Sequence, residues 1–249
     1  MRNAVGAALS GVALFVSGCA GDSQAQVGDS TSPSLGSADT LVLRTMTTGG
    51  FAGLGGPGTV PDFSLYGDGR AVTGGREPTE YHLTHQALRR LVSDASKAGL
   101  ATPRTVDDPN ISDGTYKVIT FVTGGRARTT KVIQEGGRAD DPAKKFLARL
   151  VPANWPRGDQ ASAPVAYRPS RVAVLAVASP GSGPKWPYGP LTSGKRVGTS
   201  GCTVLTGADA AKAQRLATAR TQWNDRGKSF RVRIRPLLPD ERDCAALSR

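Results

Sequence analysis

Phe63-Ser64-Leu65-Tyr66-Gly67-Asp68-Gly69-Arg70-Ala71-Val72-Thr73 places two short β-prone runs on either side of Gly-Asp-Gly. Asp-Gly between such runs is a strong hairpin signal, because the tight turn needs a residue that tolerates positive φ. The helix after this hairpin decides the fold class. Thr84 stands as an N-cap, then Ala87, Leu88, Leu91, Val92, Ala95 and Leu100 recur at helical spacing, and Gly99 stops the helix. The same order appears again downstream. Tyr116 to Val122 is β-prone, Gly124-Gly125 turns the chain, and Arg128 to Gln134 returns. Asp140-Asp141-Pro142 then caps a second helix carrying Phe146, Leu147 and Leu150 on one face. The expected fold is α+β: antiparallel sheet(s) with helices packed on one face, in repeated hairpin–helix units.

Before this block, Leu41 to Met46 is a short β-prone run and Phe51 to Pro61 a Gly/Pro loop. After it comes a Pro-rich passage, the best boundary in the chain. Arg171 to Ser179 is nearly continuously apolar and of strand length, so it reads as a buried strand. Pro180 to Gly201 is a long loop with Trp186 and Tyr188. Thr206 or Asp209 opens an Ala-rich helix running to about Trp223. Phe230-Arg231-Val232-Arg233-Ile234-Arg235 alternates cleanly, a half-buried strand with an arginine face. The expected organisation is a signal peptide over 1–18, a polar tether over 19–39 and an α+β domain over 40–155. Beyond these come a Pro-rich linker over 156–170 and a C-terminal strand–helix–strand region over 171–249.

The front of the chain carries its address. Arg2 is followed by the apolar stretch Ala4 to Val16, then by Ser17, Gly18 and Cys19. Charge, a short apolar core and small residues form the export pattern, and the stretch is too short for an ordinary spanning helix. Val16-Ser17-Gly18-Cys19 resembles the lipobox of bacterial lipoproteins, where Leu is commoner at the first place. The resemblance implies a lipid on the thiol of Cys19, cleavage before it, and residence on the outer face of the bacterial cell membrane. One acyl chain binds a membrane only marginally, whereas two or three hold it stably. A plain secretory peptide, cut after Ala20 or Ala25, and an uncleaved anchor are the alternatives.

If Cys19 carries lipid, Cys202 and Cys244 remain as an even pair in an oxidising compartment, and a disulfide is expected. Two buried free thiols are the alternative. The formal net charge of +12 makes anionic lipid head groups and anionic envelope polymers the candidate partners, with nucleic acid ranked below them. Arg231, Arg233 and Arg235 are the candidate anion-binding face, set against the plainer reading of a solvated basic surface. No protein partner is named by any motif.

Catalytic and cofactor signals are weak throughout. The only histidines, His82 and His85, have H-x-x-H spacing at the start of a helix, and a zinc site would need further ligands. Gly189 to Lys195 matches G-x-x-x-x-G-K, but Arg196 stands where a phosphate loop needs Ser or Thr. Gly181-Ser182-Gly183 lacks the strand-to-helix turn of a nucleophile elbow. Asp107-Asp108 and Asp140-Asp141 read as turn and cap residues. No catalytic residue, cofactor or metal ligand is therefore assigned.

Phe63 to Arg70, the Leu91-to-Leu100 helix end, Cys202-Thr203-Val204-Leu205-Thr206-Gly207-Ala208 and Arg235-Pro236-Leu237-Leu238-Pro239-Asp240-Glu241 together resemble exported actinobacterial lipoproteins of unknown function. That group supplies no catalytic residues to carry over. The expectation is a membrane-anchored, non-catalytic envelope binding or support module. The alternative is a hydrolase-like envelope enzyme whose site is lined by the loops Phe51–Pro61 and Pro180–Gly201. Replacing Cys19→Ala should abolish acylation and release the protein or leave it unprocessed; unchanged mass and membrane retention in that variant would overturn the assignment.

Overall fold

The computed structural model describes residues 35–51, 53–219 and 221–248. The expected signal, Cys19 and the tether up to residue 34 lie outside the described residues. The fold is mixed α+β, built mostly of strands in two sheets. The first part of the chain forms β1 (Leu41–Gly49), β2 (Phe63–Tyr66), β3 (Arg70–Thr73), β4 (Thr79–His82) and α1 (His85–Lys97). It continues through β5 (Arg104–Val106), β6 (Thr115–Thr123), β7 (Arg126–Ile133), α2 (Pro142–Leu147) and β8 (Val165–Ala166). The eight strands form one sheet in the order β5-β7-β6-β1-β2-β3-β4-β8. All its pairings are antiparallel except β5 with β7.

The local chemistry behaves as the residues dictate. Gly69 adopts φ +89° in the β2–β3 turn, and a Cβ there would lie 2.7 Å from the Leu83 carbonyl oxygen. The side chain of Thr84 accepts from the Ala87 amide at 3.2 Å and caps α1. At the other end Gly99 takes φ +77°, its N–H donates to Ser96 O, and the Leu100 N–H donates to Ala95 O. This is the Schellman arrangement, which satisfies carbonyls that the helix end leaves open. Asp141 caps α2 by accepting from the Ala143 amide at 2.8 Å, with Pro142 in the first turn. Both helices feed one core cluster, in which Leu88, Leu91 and Phe146 meet Leu43, Leu65, Ile119 and Phe121.

The second sheet contains β9 (Arg171–Ala178), β10 (Lys195–Val197), β11 (Ser200–Thr206), β12 (Gln222–Asp225) and β13 (Lys228–Pro236), in the order β10-β11-β9-β13-β12. Helix α3 (Gly207–Ala219) packs through Ala210 and Ala213 against Val172. The expected helix end near Trp223 is corrected here: Gln222–Asp225 is a strand paired with β13. Arg226 at φ 51° and Gly227 at φ 75° make the two-residue turn that joins them. Trp223 is buried, edge-on to Trp186 with ring centroids 5.2 Å apart, so aromatic packing overrides the helical pattern.

The C-terminal segment after β13 lies between the sheets. Leu237 and Leu247 pack with Leu175 of the second sheet, while Leu238 packs with Tyr66 and Val72 of the first. The sulfur atoms of Cys202 and Cys244 lie 2.03 Å apart, at bonding distance, and join β11 to the last helical turn, Cys244–Ser248. Leu35 packs against the first core cluster, and Asp39 pairs with Arg242 at 3.1 Å. Among the described residues no helix is long and apolar enough to cross a membrane.

Crosslinking a loop of this size contributes about 4 kcal/mol through the unfolded chain. Cys202→Ser with Cys244→Ser should therefore lower unfolding stability by about that amount in urea titration. A double variant as stable as the oxidised parent would show that the bridge adds nothing.

Candidate functional site

Arg44 lies on β1, in the middle of the first sheet. Its run, Leu41-Val42-Leu43-Arg44, is otherwise apolar, and the alternation of the strand separates Leu43 from Arg44. Arg44 Nε donates to Ser64 Oγ at 3.0 Å. Its Nη2 donates to Asp240 Oδ1 at 2.7 Å and reaches Tyr66 Oη at 3.4 Å. Tyr66 is fully buried and donates its hydroxyl to the same Asp240 oxygen at 2.9 Å.

Asp240 and its neighbour Glu241 sit in the turn after Pro239. Glu241 accepts from Arg235 Nη1 at 2.7 Å and Nη2 at 2.9 Å, a bidentate pair with each side chain 3 % exposed. The Leu238 amide donates to Glu241 at 2.8 Å, and Arg235 Nε donates to the Thr59 carbonyl at 3.0 Å. Arg44 Nη1 lies 3.7 Å from Glu241 Oε1, so the two pairs form one junction between the sheets.

The electrostatics arise from this burial. Burial pushes the Tyr66 phenol well above its ordinary value, and the Asp240 carboxylate pushes it the same way. Burial works against the charge of Arg44, but Asp240, Tyr66 and Glu241 outweigh it and raise its pKa. Tyr167, whose hydroxyl donates to the Leu237 carbonyl at 2.8 Å, is also raised, chiefly by burial.

A cleft of about 450 Å³ opens above this junction. Its floor is Arg44, Arg235, Asp240 and Glu241, and its walls include Met46, Pro57, Val118 and Leu247. A second, shallower groove of about 570 Å³ lies on the second sheet. It is lined by Arg231, Arg233, Leu175 and Val177, with Gly56 to Gly58 and Gly198 to Ser200 at its edges.

The three arginines expected to form one face do share a face of the second sheet, opposite Val177, Leu175 and Ala173 in turn. The C-terminal segment covers only one end of it. The side chains of Arg231 and Arg233 are exposed and make no hydrogen bond or ion pair among the described residues. Arg235 is buried and committed to Glu241, so it is not available to an anion. Arg233 lies across Gly58, where a Cβ would come within 2.7 Å of its Cδ.

The remaining sequence candidates stay apart. His82 ends β4 and its Nε2 is 2.9 Å from Glu80, while His85 begins α1. Among the described residues no three His, Cys, Asp or Glu side chains group as a metal site. Lys195 opens β10 and no helix comes directly after the Gly189–Lys195 stretch. Of the two long loops, residues 55–61 supply walls to both the cleft and the groove, and residues 198–200 reach the groove. Sequence reasoning passed over Arg44 and Asp240. The signals that mark them are a lone cation in an apolar strand and an acidic pair directly after Pro239.

Compared with known proteins, the chain matches no family model, no curated protein and no solved structure at a significant level.

The Tyr66 shift has a definite sign. Below pH 10 the phenol is protonated in both folded and unfolded chains; above it only the unfolded chain ionises, so stability falls as pH rises. Each such tyrosine contributes a slope of about 1.4 kcal/mol per pH unit. Tyr66→Phe should remove one proton's worth of that slope between pH 10 and 11.5 in urea unfolding. An unchanged slope would mean Tyr66 ionises freely in the native protein.

Proposed function

We propose that this protein is a lipid-anchored extracytoplasmic binding module, of the exported lipoprotein kind, that holds an anionic envelope polymer in the groove lined by Arg231 and Arg233. The observation that carries the reading is the contrast between paired and free cations. Arg44 and Arg235 are engaged by acids, whereas Arg231 and Arg233 stand exposed without a partner among the described residues. Residues two apart on a strand are about 7 Å apart, so the two guanidinium groups present successive charges along one line. Arg forks suit phosphate or carboxylate oxygens, and Leu175 and Val177 beside them offer apolar contact to a polymer backbone.

A non-catalytic role fits the interior better than the hydrolase alternative. Hydrolysis needs a free nucleophile and a base near it. At the junction beneath the cleft Tyr66 is held protonated, Ser64 accepts from Arg44, and Asp240 and Glu241 are each paired with an arginine. The same reading takes α1 and α2, each coming after a hairpin, as a repeated layer over one face of the first sheet. The domain division at the Pro-rich passage belongs to this proposal, as does anchorage through Cys19.

Each arginine near an anionic surface contributes about 1 kcal/mol. Retention on isolated anionic wall polymer should be strong at low salt, decline with added salt, and weaken by about 30-fold in Arg231→Ala/Arg233→Ala. No retention at low salt, or equal retention by the double variant, would remove this proposal.

A further inference from the structure

We propose that the cleft between the two sheets is a separate binding site for a small zwitterion of the α-amino-acid type with an apolar side chain. Its size, about 450 Å³, lies in the range of small-molecule pockets. Its floor holds two cations, Arg44 and Arg235, and two anions, Asp240 and Glu241. The local charge is balanced, so a net-neutral occupant fits better than a net anion or cation.

The pairs are not equivalent. Arg235 and Glu241 are spent on each other, on Thr59 and on Leu238, and are 3 % exposed. Arg44 and Asp240 are 17 % and 18 % exposed and each keeps one end open. Arg44 Nη1 makes no hydrogen bond among the described residues, its nearest anion being Glu241 Oε1 at 3.7 Å. Asp240 Oδ2 has no partner among the described residues, since both its neighbours use Oδ1. A donor and an acceptor of opposite charge therefore remain side by side, fixed by the 2.7 Å bond between their side chains. A ligand that answers both carries a carboxylate for Arg44 and an ammonium for Asp240 on adjacent atoms, as on one α-carbon. Ser64 and Tyr66 hold the pair in place beforehand, which lowers the ordering cost of binding. Met46, Val118 and Leu247 supply an apolar wall for the side chain.

This site uses neither Arg231 nor Arg233, so it stands or falls apart from the polymer reading. The test is titration calorimetry of the folded protein with L-leucine and L-phenylalanine. Against these run 3-phenylpropionate, which lacks the ammonium, and 2-phenylethylamine, which lacks the carboxylate. Each single-charge analogue should bind at least about tenfold more weakly than phenylalanine, and Asp240→Asn should weaken phenylalanine by at least about tenfold. Thr129→Trp adds bulk at an exposed position of the cleft wall, two strands from Arg44, and should block binding while leaving the melting temperature near that of the parent. Should Asp240→Asn not fold, Thr129→Trp decides alone. Absence of binding by both amino acids at about 10 mM, equal binding of the analogues, or undiminished binding by Thr129→Trp would overturn the proposal.

Discussion

Glu241 is a carboxylate with almost no access to water, and it is tolerated because three donors converge on it. Taking one ion of this size out of water costs several kcal/mol unless its lone pairs are filled. Arg235 fills them in the fork geometry that suits a carboxylate, and the Leu238 amide adds a third bond. The turn Pro236-Leu237-Leu238-Pro239-Asp240-Glu241 is thereby clamped onto the end of β13. Leu237 and Leu238 can then face opposite ways, one into each sheet. Asp240 is carried to the first sheet by the same turn, where Arg44, itself fixed by Ser64, receives it. The Cys202–Cys244 pair lies immediately after and restrains the segment from its other end.

This arrangement divides the basic residues into two kinds. Inside the junction each charged side chain has an opposite partner, and the phenol of Tyr66 is kept neutral by the same burial that strengthens the pairs. On the open half of the second sheet, beyond the reach of the C-terminal segment, Arg231 and Arg233 remain exposed to solvent. The interior charges organise structure and a cleft, and the exterior ones offer a field.

Much of the local structure was legible because it rests on contacts within a few residues. The Gly67-Asp68-Gly69 turn, the Thr84 cap, the Gly99 stop and the Asp141-Pro142 start depend on φ preferences and on donors only a few residues away. The continuous apolar run 171–179 was legible because Val172 to Ala176 are all buried, which leaves no alternation to hide. The end of α3 was not, since Gln222 and Trp223 continue a helical pattern that only pairing with β13 and contact with Trp186 overrule. The short strands β4, β8 and β10 have too few residues to carry a period of their own. Arg235 looked like its neighbours because strand alternation reports which face a side chain takes, not what covers that face.

By itself the sequence determined the α+β character, the turn and cap positions, and the alternation that puts Arg231, Arg233 and Arg235 on one side. Those come from backbone preference and side-chain period. Only the tertiary structure decided that one arginine of the three is buried against Glu241, and that Arg44 and Asp240, 196 residues apart, meet at the floor of a cleft. Burial of a charge is stable only when an opposite charge is delivered to it in the right geometry. That delivery depends on how distant strands stack, which no local pattern encodes.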